Sequence, residues 1–412
     1  MKLSIFTPSH NPDHLDRCYQ SLCRQSNTIG IEWEWVVVLN GGANYINQDS
    51  NVRIIRAPEG LNGVGALKRF AVDCCQGDVF IELDHDDELL PNALFSIASA
   101  ARGKKDAFIY SATLELTAGG DDRLFGQAYG WEYDEFEGSK YNKPFDITAR
   151  SLAEIFFAPN HVRAWTRESY HRAGGHNPNL KICDDQELII KTYLAGSEFV
   201  RLPNPVYVQH LQKKSTQFEL NGSIQETQAE LRDKYLPSLA VEWSKRNNLT
   251  CFDLGGAHSC PEGFTAVDKV EGSPVEWDIE RDLLGFAPDN SVGCIRASDF
   301  LEHIPIGRVV PLMNDIYRAL APGGWLISNT PSTDGRGAFQ DPTHCSFWNQ
   351  NSFWYYTRQQ QAKYVPEIKC KFQAVTLKTI YPSEWHKTHC IPYVVANLSA
   401  LKGQRQPGLK EI

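Results

Sequence analysis

An acidic turn stands at positions 84–87, directly after an apolar run. The run Val79–Leu83 predicts a buried strand, and it leads into three aspartates and a histidine. Carboxylates gathered in one turn could bind a hard divalent cation, because Mg²⁺ and Mn²⁺ sites typically pair one or two carboxylates with substrate phosphates. The same acids could instead cap the helix predicted near Pro91, since carboxylates favour the positive end of a helix dipole. These residues alone leave both interpretations open.

A second acidic pair, Asp184 and Asp185, opens a helical stretch further along the chain. A carboxylate can take the proton of a hydroxyl that attacks a reacting carbon. Two acids in the first turn of a helix also stabilise its dipole without any chemistry. The pair is a candidate for the second half of one site with the acidic turn.

Short apolar runs alternate with helical patterns in the first half of the chain. The predicted strands are Leu3–Phe6, Trp35–Leu39, Val52–Arg56 and Asp78–Leu83, and the predicted helices cover residues 13–25 and Ala66–Cys75. This alternation indicates βαβ units and a mostly parallel sheet. Ligands of such sheets bind beyond the carboxyl ends of the strands.

A second series of strands follows a polar stretch. Its predicted elements are the strands Thr250–Leu254, Thr265–Val267, Val292–Ala297 and Trp325–Asn329 and the helix Val309–Leu320. The polar stretch Gln225–Asn248 is predicted to be a helical connector. We therefore predict an α/β protein with two Rossmann-like domains in tandem, residues 1–247 and 248–412.

Composition limits the class of protein. A length of 412 residues suits two domains, and a hydrophobic content of 42% suits packed cores. The net charge of −9 disfavours nucleic acid as a partner. Eleven cysteines without C-x-x-C spacing indicate free thiols in a reducing compartment. No apolar run approaches the roughly 20 residues of a membrane span, so we expect a cytoplasmic protein, in the host cytoplasm if a phage encodes it.

The motifs of the first half occur in a familiar order. They are Thr7-Pro8-Ser9-His10-Asn11, Gly60–Arg69, Asp84–Asp87, Gly174–Pro178 and the acidic pair at 184–185. Over roughly residues 1–215 this order resembles the family-two inverting glycosyltransferases, which carry an aspartate-x-aspartate motif. The resemblance implies a glycosyltransferase A-type mixed sheet, a nucleotide-sugar donor, and Mn²⁺ or Mg²⁺ as cofactor.

The resemblance also implies roles for single residues. Asp185 is the expected catalytic base, with Asp184 beside it. The residues expected at the donor nucleotide are Thr7, Pro8, Asn40, Lys68 and Asp84, and those expected at the metal are Asp84, Asp86 and His210. Asn40 stands where the family usually has an aspartate that reads the base, so the base of the donor stays open.

A glycine turn ends the first strand of the second series. The run Phe252–Gly256 leads from strand to turn, and glycines let a backbone approach a ligand closely. Asp268 ends the next strand, where an acid can accept hydrogen bonds from a ribose diol. With Asp299–Pro305 and the turn Pro322–Gly324, these motifs resemble class I S-adenosylmethionine-dependent methyltransferases over about residues 249–331.

That resemblance implies a doubly wound sheet that binds S-adenosylmethionine. The methionine part would lie by the glycines, the ribose on Asp268 and the adenine near Asp278. The residues assigned to the cofactor are Asp253, Gly255, Gly256, Asp268 and Asp278. The family's third glycine is missing, because Ala257–Gly263 replaces the expected loop and helix.

Two histidines of this second half could do acid–base chemistry. His344 or His303 is a candidate general base that deprotonates a sugar hydroxyl, with Asp341 orienting it or binding a metal. The alternative is that these residues shape a pocket and pack the aromatic run that follows.

We favour a bifunctional enzyme that transfers a sugar to a hydroxyl of a glycan or protein acceptor and then O-methylates the glycan. One alternative keeps the glycosyltransferase and makes the second domain a non-catalytic binding module. Another is a phage enzyme that glycosylates a DNA base, which the acidic charge disfavours. The sequence leaves the oligomeric state open.

Overall fold

The computed structural model describes residues 1–124, 132–154, 161–211 and 220–403. Their contacts divide the chain into two compact units, Met1–Arg232 and Asp233–Ile412. The division falls inside the helix Asn221–Arg246, which covers most of the predicted connector. The predicted boundary after residue 247 lies just beyond the end of that helix.

In the described part of the first unit, seven strands form the main sheet in the order β11-β6-β10-β4-β1-β2-β3. Their bounds are Lys2–Ser9 (β1), Glu32–Leu39 (β2), Val52–Arg56 (β3), Val79–Glu82 (β4), Ala107–Tyr110 (β6), Arg163–Thr166 (β10) and Glu198–Arg201 (β11). β10 runs antiparallel to β4 and β6, and the other pairings are parallel. The predicted α/β architecture with a mixed sheet is confirmed for this unit.

The predicted strands β1, β2 and β4 form because their apolar runs are buried on both faces. In β1, for example, Ile5 and Phe6 point to opposite faces and both are fully buried. The first helix turns Leu15, Cys18 and Leu22 toward the sheet, which is the spacing of one helix face. The helices are Leu15–Cys23, Val64–Asp73, Ala93–Ala101, Ala149–Glu154, Arg167–Arg172 and Asp184–Leu194.

Two smaller sheets complete the first unit as described. One pairs β12 (Tyr207–His210) with β5 (Glu88–Leu89) and β7 (Thr113–Leu116), and the other is the hairpin of β8 (Tyr133–Phe136) and β9 (Ser139–Asn142). β5 follows the acidic turn directly, so its pairing with β12 fixes where that turn lies.

In the second unit, the described strands form a sheet in the order β15-β14-β13-β16-β17-β19-β18. Their bounds are Thr250–Leu254 (β13), Thr265–Asp268 (β14), Val275–Glu276 (β15), Val292–Ser298 (β16), Leu320–Pro331 (β17), Phe372–Ile380 (β18) and Tyr393–Ala400 (β19). The first five strands in this order, from β15 to β17, pair in parallel, and β19 is antiparallel to both of its neighbours. The strands that precede β13 in the sheet order lie on one side of the pair β13 and β16, and β17 lies on the other, so the strand order reverses between β13 and β16. Open α/β sheets bind ligands at such a reversal.

The helices of the second unit connect these strands. They are Ile279–Asp282, Ile306–Ala319, Gly337–Gln340, Trp354–Thr357, Gln359–Ala362 and Glu384–Thr388, with 3-10 turns at Leu301–His303 and Gln350–Phe353. β17 is longer than predicted, because the turn expected at Pro322–Gly324 lies within the strand. No helix among the described residues is long and apolar enough to cross a lipid bilayer.

Candidate functional site

Glu82, the last residue of β4, is the centre of a buried ion cluster. Its carboxylate atom Oε1 accepts hydrogen bonds from Lys68 Nζ at 2.6 Å and from Arg163 at 2.9 Å. The antiparallel pairing of Ala164 with Ile81 brings Arg163 alongside Glu82. All three charged side chains are almost fully buried. Such a cluster persists only when each charge has a partner, because an isolated buried charge is very costly.

The charges of this cluster keep one another ionised. Burial alone would raise the pKa of Glu82, but Lys68 and Arg163 outweigh it and hold that pKa well below its usual range. For the amine of Lys68, burial alone would lower the pKa, but the charges of the neighbouring Asp184 and Glu82 raise it. The cluster is therefore charged at neutral pH.

The acidic pair that opens the helix Asp184–Leu194 lies on the other side of the two cations. Arg163 Nη2 lies 2.6 Å from Asp185 Oδ2, and Lys68 Nζ lies 3.6 Å from Asp184 Oδ2. Each cation thus connects the end of β4 to the start of this helix. The structure brings the two predicted halves of the site together.

A glycine contact sets the position of the helix that carries Lys68. Gly65 donates its N–H to the Leu180 carbonyl, and a Cβ added at Gly65 would lie 2.1 Å from the Asn177 carbonyl oxygen. The helix can therefore pack directly on the backbone that precedes Asp184. This contact explains part of the Gly-rich segment singled out in the sequence.

The two acids of the pair differ in access to solvent. The Asp185 side chain is 28% exposed, whereas that of Asp184 is 4% exposed. Burial would raise the pKa of Asp185, but Arg163 lowers it, while burial raises the pKa of Asp184 to about 6 against the effect of Lys68. Asp185 can meet an incoming molecule. Asp184 is buried, and its carboxylate lies beside Lys68 Nζ. Asp184 therefore positions Lys68, and a direct catalytic role for it stays a prediction.

The acidic turn is held in place by a tyrosine of β12. The Asp84 N–H donates to the Tyr207 hydroxyl oxygen at 3.1 Å, and that hydroxyl donates to Asp87 Oδ2 at 2.9 Å. Asp87 is buried, and burial beside Asp84 and Asp86 raises its pKa well above the usual value. Asp87 therefore stabilises the turn, while Asp84 and Asp86 remain partly exposed.

Asp84 faces the buried cluster through a histidine. His161 Nε2 lies 3.3 Å from Asp84 Oδ2 and 3.8 Å from Glu82 Oε1. Burial would raise the pKa of Asp84, but the adjacent His161 ring and the charge of Lys68 lower it. Ligand atoms of Glu82, Asp84 and His161 lie within 4.8 Å of one another. Because Glu82 already binds Lys68 and Arg163, Asp84 is the member of this trio best able to contact a cation.

His210, at the end of β12, lies beside the acidic turn. Its Nε2 is 2.9 Å from Glu88 Oε1, and its main-chain N–H donates to Asp87 Oδ1. The ring is thus paired with Glu88 rather than with Asp84 or Asp86. Here β12 uses this residue to fix the acidic turn, and the metal role of His210 stays a prediction.

Two residues predicted at the donor nucleotide have internal roles instead. Thr7 is fully buried, donates to the Leu83 carbonyl at 2.7 Å and accepts from Trp35 Nε1 at 2.9 Å. Lys68 is committed to the buried cluster described above. Pro8 and Asn40 are partly exposed at the carboxyl ends of β1 and β2, and they stay candidates for contact with a nucleotide.

Arg163, His161 and His176 also belong to the site. His161 was a candidate for the acceptor pocket and His176 lies in the Gly174–Pro178 motif, whereas Arg163 was missed in the sequence. His176 is fully buried, with Nε2 3.7 Å from Asp184 Oδ2 and Nδ1 2.9 Å from the Tyr170 hydroxyl. Arg163 lies in none of the motifs singled out in the sequence. The one available signal was Arg163 itself, a charge next to the apolar run Ala164-Trp165.

The glycine turn of the second unit is tightly packed. Gly255 has a φ of +76°, and a Cβ there would lie 2.8 Å from the Phe300 ring. A Cβ at Gly256 would lie 2.5 Å from Asp253 Oδ2. Asp253 is 1% exposed, and both of its oxygens lie 2.8 Å from a nitrogen of Arg296. Asp253 therefore supports the turn, in place of the direct cofactor contact predicted for it.

The two other acids assigned to the cofactor, Asp268 and Asp278, have different surroundings. Asp268, at the end of β14, accepts hydrogen bonds from the N–H groups of Ala257 and Val270 and remains partly exposed. Asp278 caps the short helix Ile279–Asp282 by accepting from the Arg281 N–H. Asp268 keeps its predicted place beside the glycine turn, whereas the Asp278 carboxylate is used as a helix cap.

The two candidate histidines of the second unit lie together. The ring centroids of His303 and His344 are 5.0 Å apart. Thr343 connects Asp341 to His303, because its hydroxyl donates to Asp341 Oδ1 at 2.7 Å and lies 3.1 Å from His303 Nδ1. Asp341 thus orients His303 through Thr343, and its Oδ2 lies 4.0 Å from His344 Nε2.

Residues 4–159 match the family model described as Glycosyl transferase family 2. The first unit therefore carries a glycosyltransferase domain of this family, whose reaction is sugar transfer from a nucleotide-sugar donor. The match ends before the second unit begins. No curated protein matches the chain.

Among solved structures, the chain is similar to Staphylococcus aureus TarS. The structure of TarS residues 1–349 has 16% identity and a TM-score of 0.40, and the match covers 64% of this chain and 76% of that one. The same protein in complex with UDP-GlcNAc has 15% identity and a TM-score of 0.40, and covers 77% of this chain and 85% of that one. A likeness of this size gives no residue-by-residue correspondence.

Proposed function

We propose that the first unit is an inverting glycosyltransferase in which Asp185 is the general base and Asp84 and Asp86 hold a divalent cation. The observation that carries the proposal is the ion pair of Arg163 with a partly exposed Asp185, beside the acidic turn that ends β4. A base and a set of oxygen ligands then lie at one sheet edge, where α/β sheets bind substrates.

The reaction is a single displacement. The acceptor hydroxyl oxygen attacks the anomeric carbon, the bond from that carbon to the donor phosphate oxygen breaks, and the hydroxyl proton passes to Asp185. Arg163 keeps Asp185 ionised and holds its carboxylate in one orientation. The acceptor proton becomes acidic as the new bond forms, so a weakly basic carboxylate is sufficient.

The residues of the acidic turn fit a hard cation. Asp84 and Asp86 offer partly exposed carboxylates, whereas the neighbouring Asp87 is buried and used by Tyr207. A bound Mn²⁺ or Mg²⁺ would neutralise charge on the leaving diphosphate. Asp84 and Asp86 would hold it, and Pro8 and Asn40 would contact the nucleotide.

The test is a panel of nucleotide sugars with and without Mn²⁺, scored by thermal shift and by release of nucleoside diphosphate from the full chain. Asp185→Asn should bind the same donor with similar affinity and lose transfer to the acceptor. Glu168→Gln, an exposed acid in the same unit, is the matched control and should behave as the unchanged chain. Retained transfer by Asp185→Asn would place the base elsewhere.

We further propose that the second unit binds S-adenosylmethionine and methylates a hydroxyl of the glycan. The supporting observation is the reversal of strand order between the parallel neighbours β13 and β16, with the Gly255-Gly256 turn and Asp268 beside it. Calorimetry of the full chain with S-adenosylmethionine tests this, with Asp268→Ala as the binding variant and Asp334→Ala as its control. Absence of heat from the unchanged chain would leave the unit as a binding or scaffold module.

A further inference from the structure

A compact set of metal-ligating side chains lies at the carboxyl end of β16 in the second unit. The 3-10 turn Leu301–His303 supplies Glu302 and His303, and the loop after the helix Gly337–Gln340 supplies His344. Ligand atoms of these three side chains all lie within 4.8 Å of one another. One ion could therefore contact all three after small side-chain movements.

Glu302 provides an independent sign that a ligand is expected. The residue is 2% exposed, and its Oε2 accepts a hydrogen bond from the Thr330 hydroxyl. Its Oε1 is buried and has no hydrogen-bond partner among the described residues. A buried acceptor without a partner costs free energy, so a positively charged ligand at this atom would remove that cost.

The two segments that carry the ligands are tied to each other. The Glu302 carbonyl accepts from the N–H groups of Cys345 and Ser346, at 2.8 and 3.0 Å. The Ser346 hydroxyl donates to the Leu301 carbonyl at 2.7 Å. The relative positions of Glu302 and His344 are therefore fixed by backbone contacts before any ion binds.

Hydrogen bonds also select the nitrogen that each histidine offers. His344 Nδ1 lies 3.0 Å from the Ala338 carbonyl, which can only accept, so Nδ1 carries the proton. The Thr343 hydroxyl uses its proton on Asp341, so its oxygen accepts from His303 Nδ1. Both rings then present an unprotonated Nε2. Metal-binding histidines are held in this way, with the second nitrogen donating to a carbonyl or a carboxylate-linked group.

We propose that Glu302, His303 and His344 bind one divalent transition-metal ion, with Zn²⁺ as the preferred ion. Two imidazoles and one carboxylate suit Zn²⁺ and its first-row neighbours better than Mg²⁺ or Ca²⁺, which take oxygen ligands. Three protein ligands leave a position for water or a substrate hydroxyl, as in catalytic zinc sites. The site does not depend on the methyl transfer proposed above.

The test uses the full chain carrying Asp84→Asn and Asp86→Asn, so that the acidic turn of the first unit does not contribute. After treatment with a chelator, the protein is titrated with Co²⁺ and then with Zn²⁺. We expect one equivalent of Co²⁺ with visible absorption bands of low-coordinate cobalt, which Zn²⁺ displaces. His303→Ala and His344→Ala should remove the bands. His386→Ala, which changes a histidine of the same unit outside the cluster, should retain them.

A positioning variant keeps the result interpretable if a ligand variant does not fold. Thr343→Val removes the oxygen that accepts from His303 Nδ1 and leaves all three ligands in place. We expect its affinity for Zn²⁺ to fall at least about tenfold, as is typical for loss of a group that orients a ligand, with unchanged circular dichroism. Bands that persist in folded His303→Ala and His344→Ala, or no bands in the starting chain, would overturn the proposal.

Discussion

Arg163 and Asp185 form an ion pair in which a guanidinium nitrogen lies 2.6 Å from Asp185 Oδ2. The other terminal nitrogen of the same guanidinium lies 2.9 Å from Glu82. One side chain therefore connects the strand end that carries the acidic turn to the helix that carries the proposed base. The planar fork of arginine lets it contact the two carboxylates through two separate nitrogens.

Replacing Arg163 by methionine should destabilise the first unit strongly. The change leaves Glu82 buried with one cation instead of two, and breaking a buried pair in this way costs about 3–5 kcal/mol. Hydrogen exchange of β4 and β10 measures the loss. Lys104→Met, which breaks an exposed pair with Glu198, is the control and should cost less than about 1 kcal/mol. If the two variants lost the same free energy of unfolding, the buried ion cluster would not stabilise the unit more than an exposed ion pair does.

The pH dependence of sugar transfer should identify the base. Arg163 lowers the pKa of Asp185, so transfer by way of Asp185 stays constant as the pH falls from 7 to 5. The pKa of Asp184 is raised to about 6 by burial, so a base at Asp184 would produce a loss of rate near that pH. Initial rates of the unchanged chain and of Asp184→Asn distinguish the two. A loss of rate near pH 6 in the unchanged chain, together with loss of transfer in Asp184→Asn, would assign the base to Asp184.

His176 should make the first unit less stable in mild acid. Burial lowers its pKa to about 3, while an unfolded histidine titrates near 6.5. As the pH falls below about 6.5, the unfolded chain binds a proton that the folded chain does not, so stability falls by up to about 1.4 kcal/mol per pH unit. His176→Asn should therefore lose less stability than the unchanged chain between pH 7.5 and 5.5, by urea denaturation. The exposed His171→Asn is the control, and the idea fails if both variants follow the same curve.

Neighbouring aspartates of the acidic turn should respond in opposite ways. Asp86→Ala removes a partly exposed carboxylate, so we expect a folded protein of unchanged stability without metal-dependent hydrolysis of the donor. Asp87→Ala leaves the Tyr207 hydroxyl and the His210 N–H without their acceptor, at a cost of roughly 1–3 kcal/mol. Thermal unfolding and donor hydrolysis with Mn²⁺ separate the two. Undiminished hydrolysis by Asp86→Ala would remove Asp86 from the metal site.

Local pattern was enough to predict the elements that form the first half of the site. The apolar run before Asp84 had to become a buried strand, and the acids after it had to lie at the carboxyl edge of the sheet. The start of a helix at Asp184 could likewise be read from neighbouring residues. The strands β13, β14, β16 and β17 of the second unit followed from the same alternation of strand and helix.

The sequence by itself determined the α/β strands and helices, the acidic turn, the acidic pair and the glycine turns, because each is set by residues close together in the chain. Only the tertiary structure decided which acids are buried and which are exposed. It placed Arg163 beside Glu82 through an antiparallel strand pairing, paired His210 with Glu88, and gathered Glu302, His303 and His344. These contacts join segments distant in sequence, so their partners depend on packing and charge balance that local spacing does not encode.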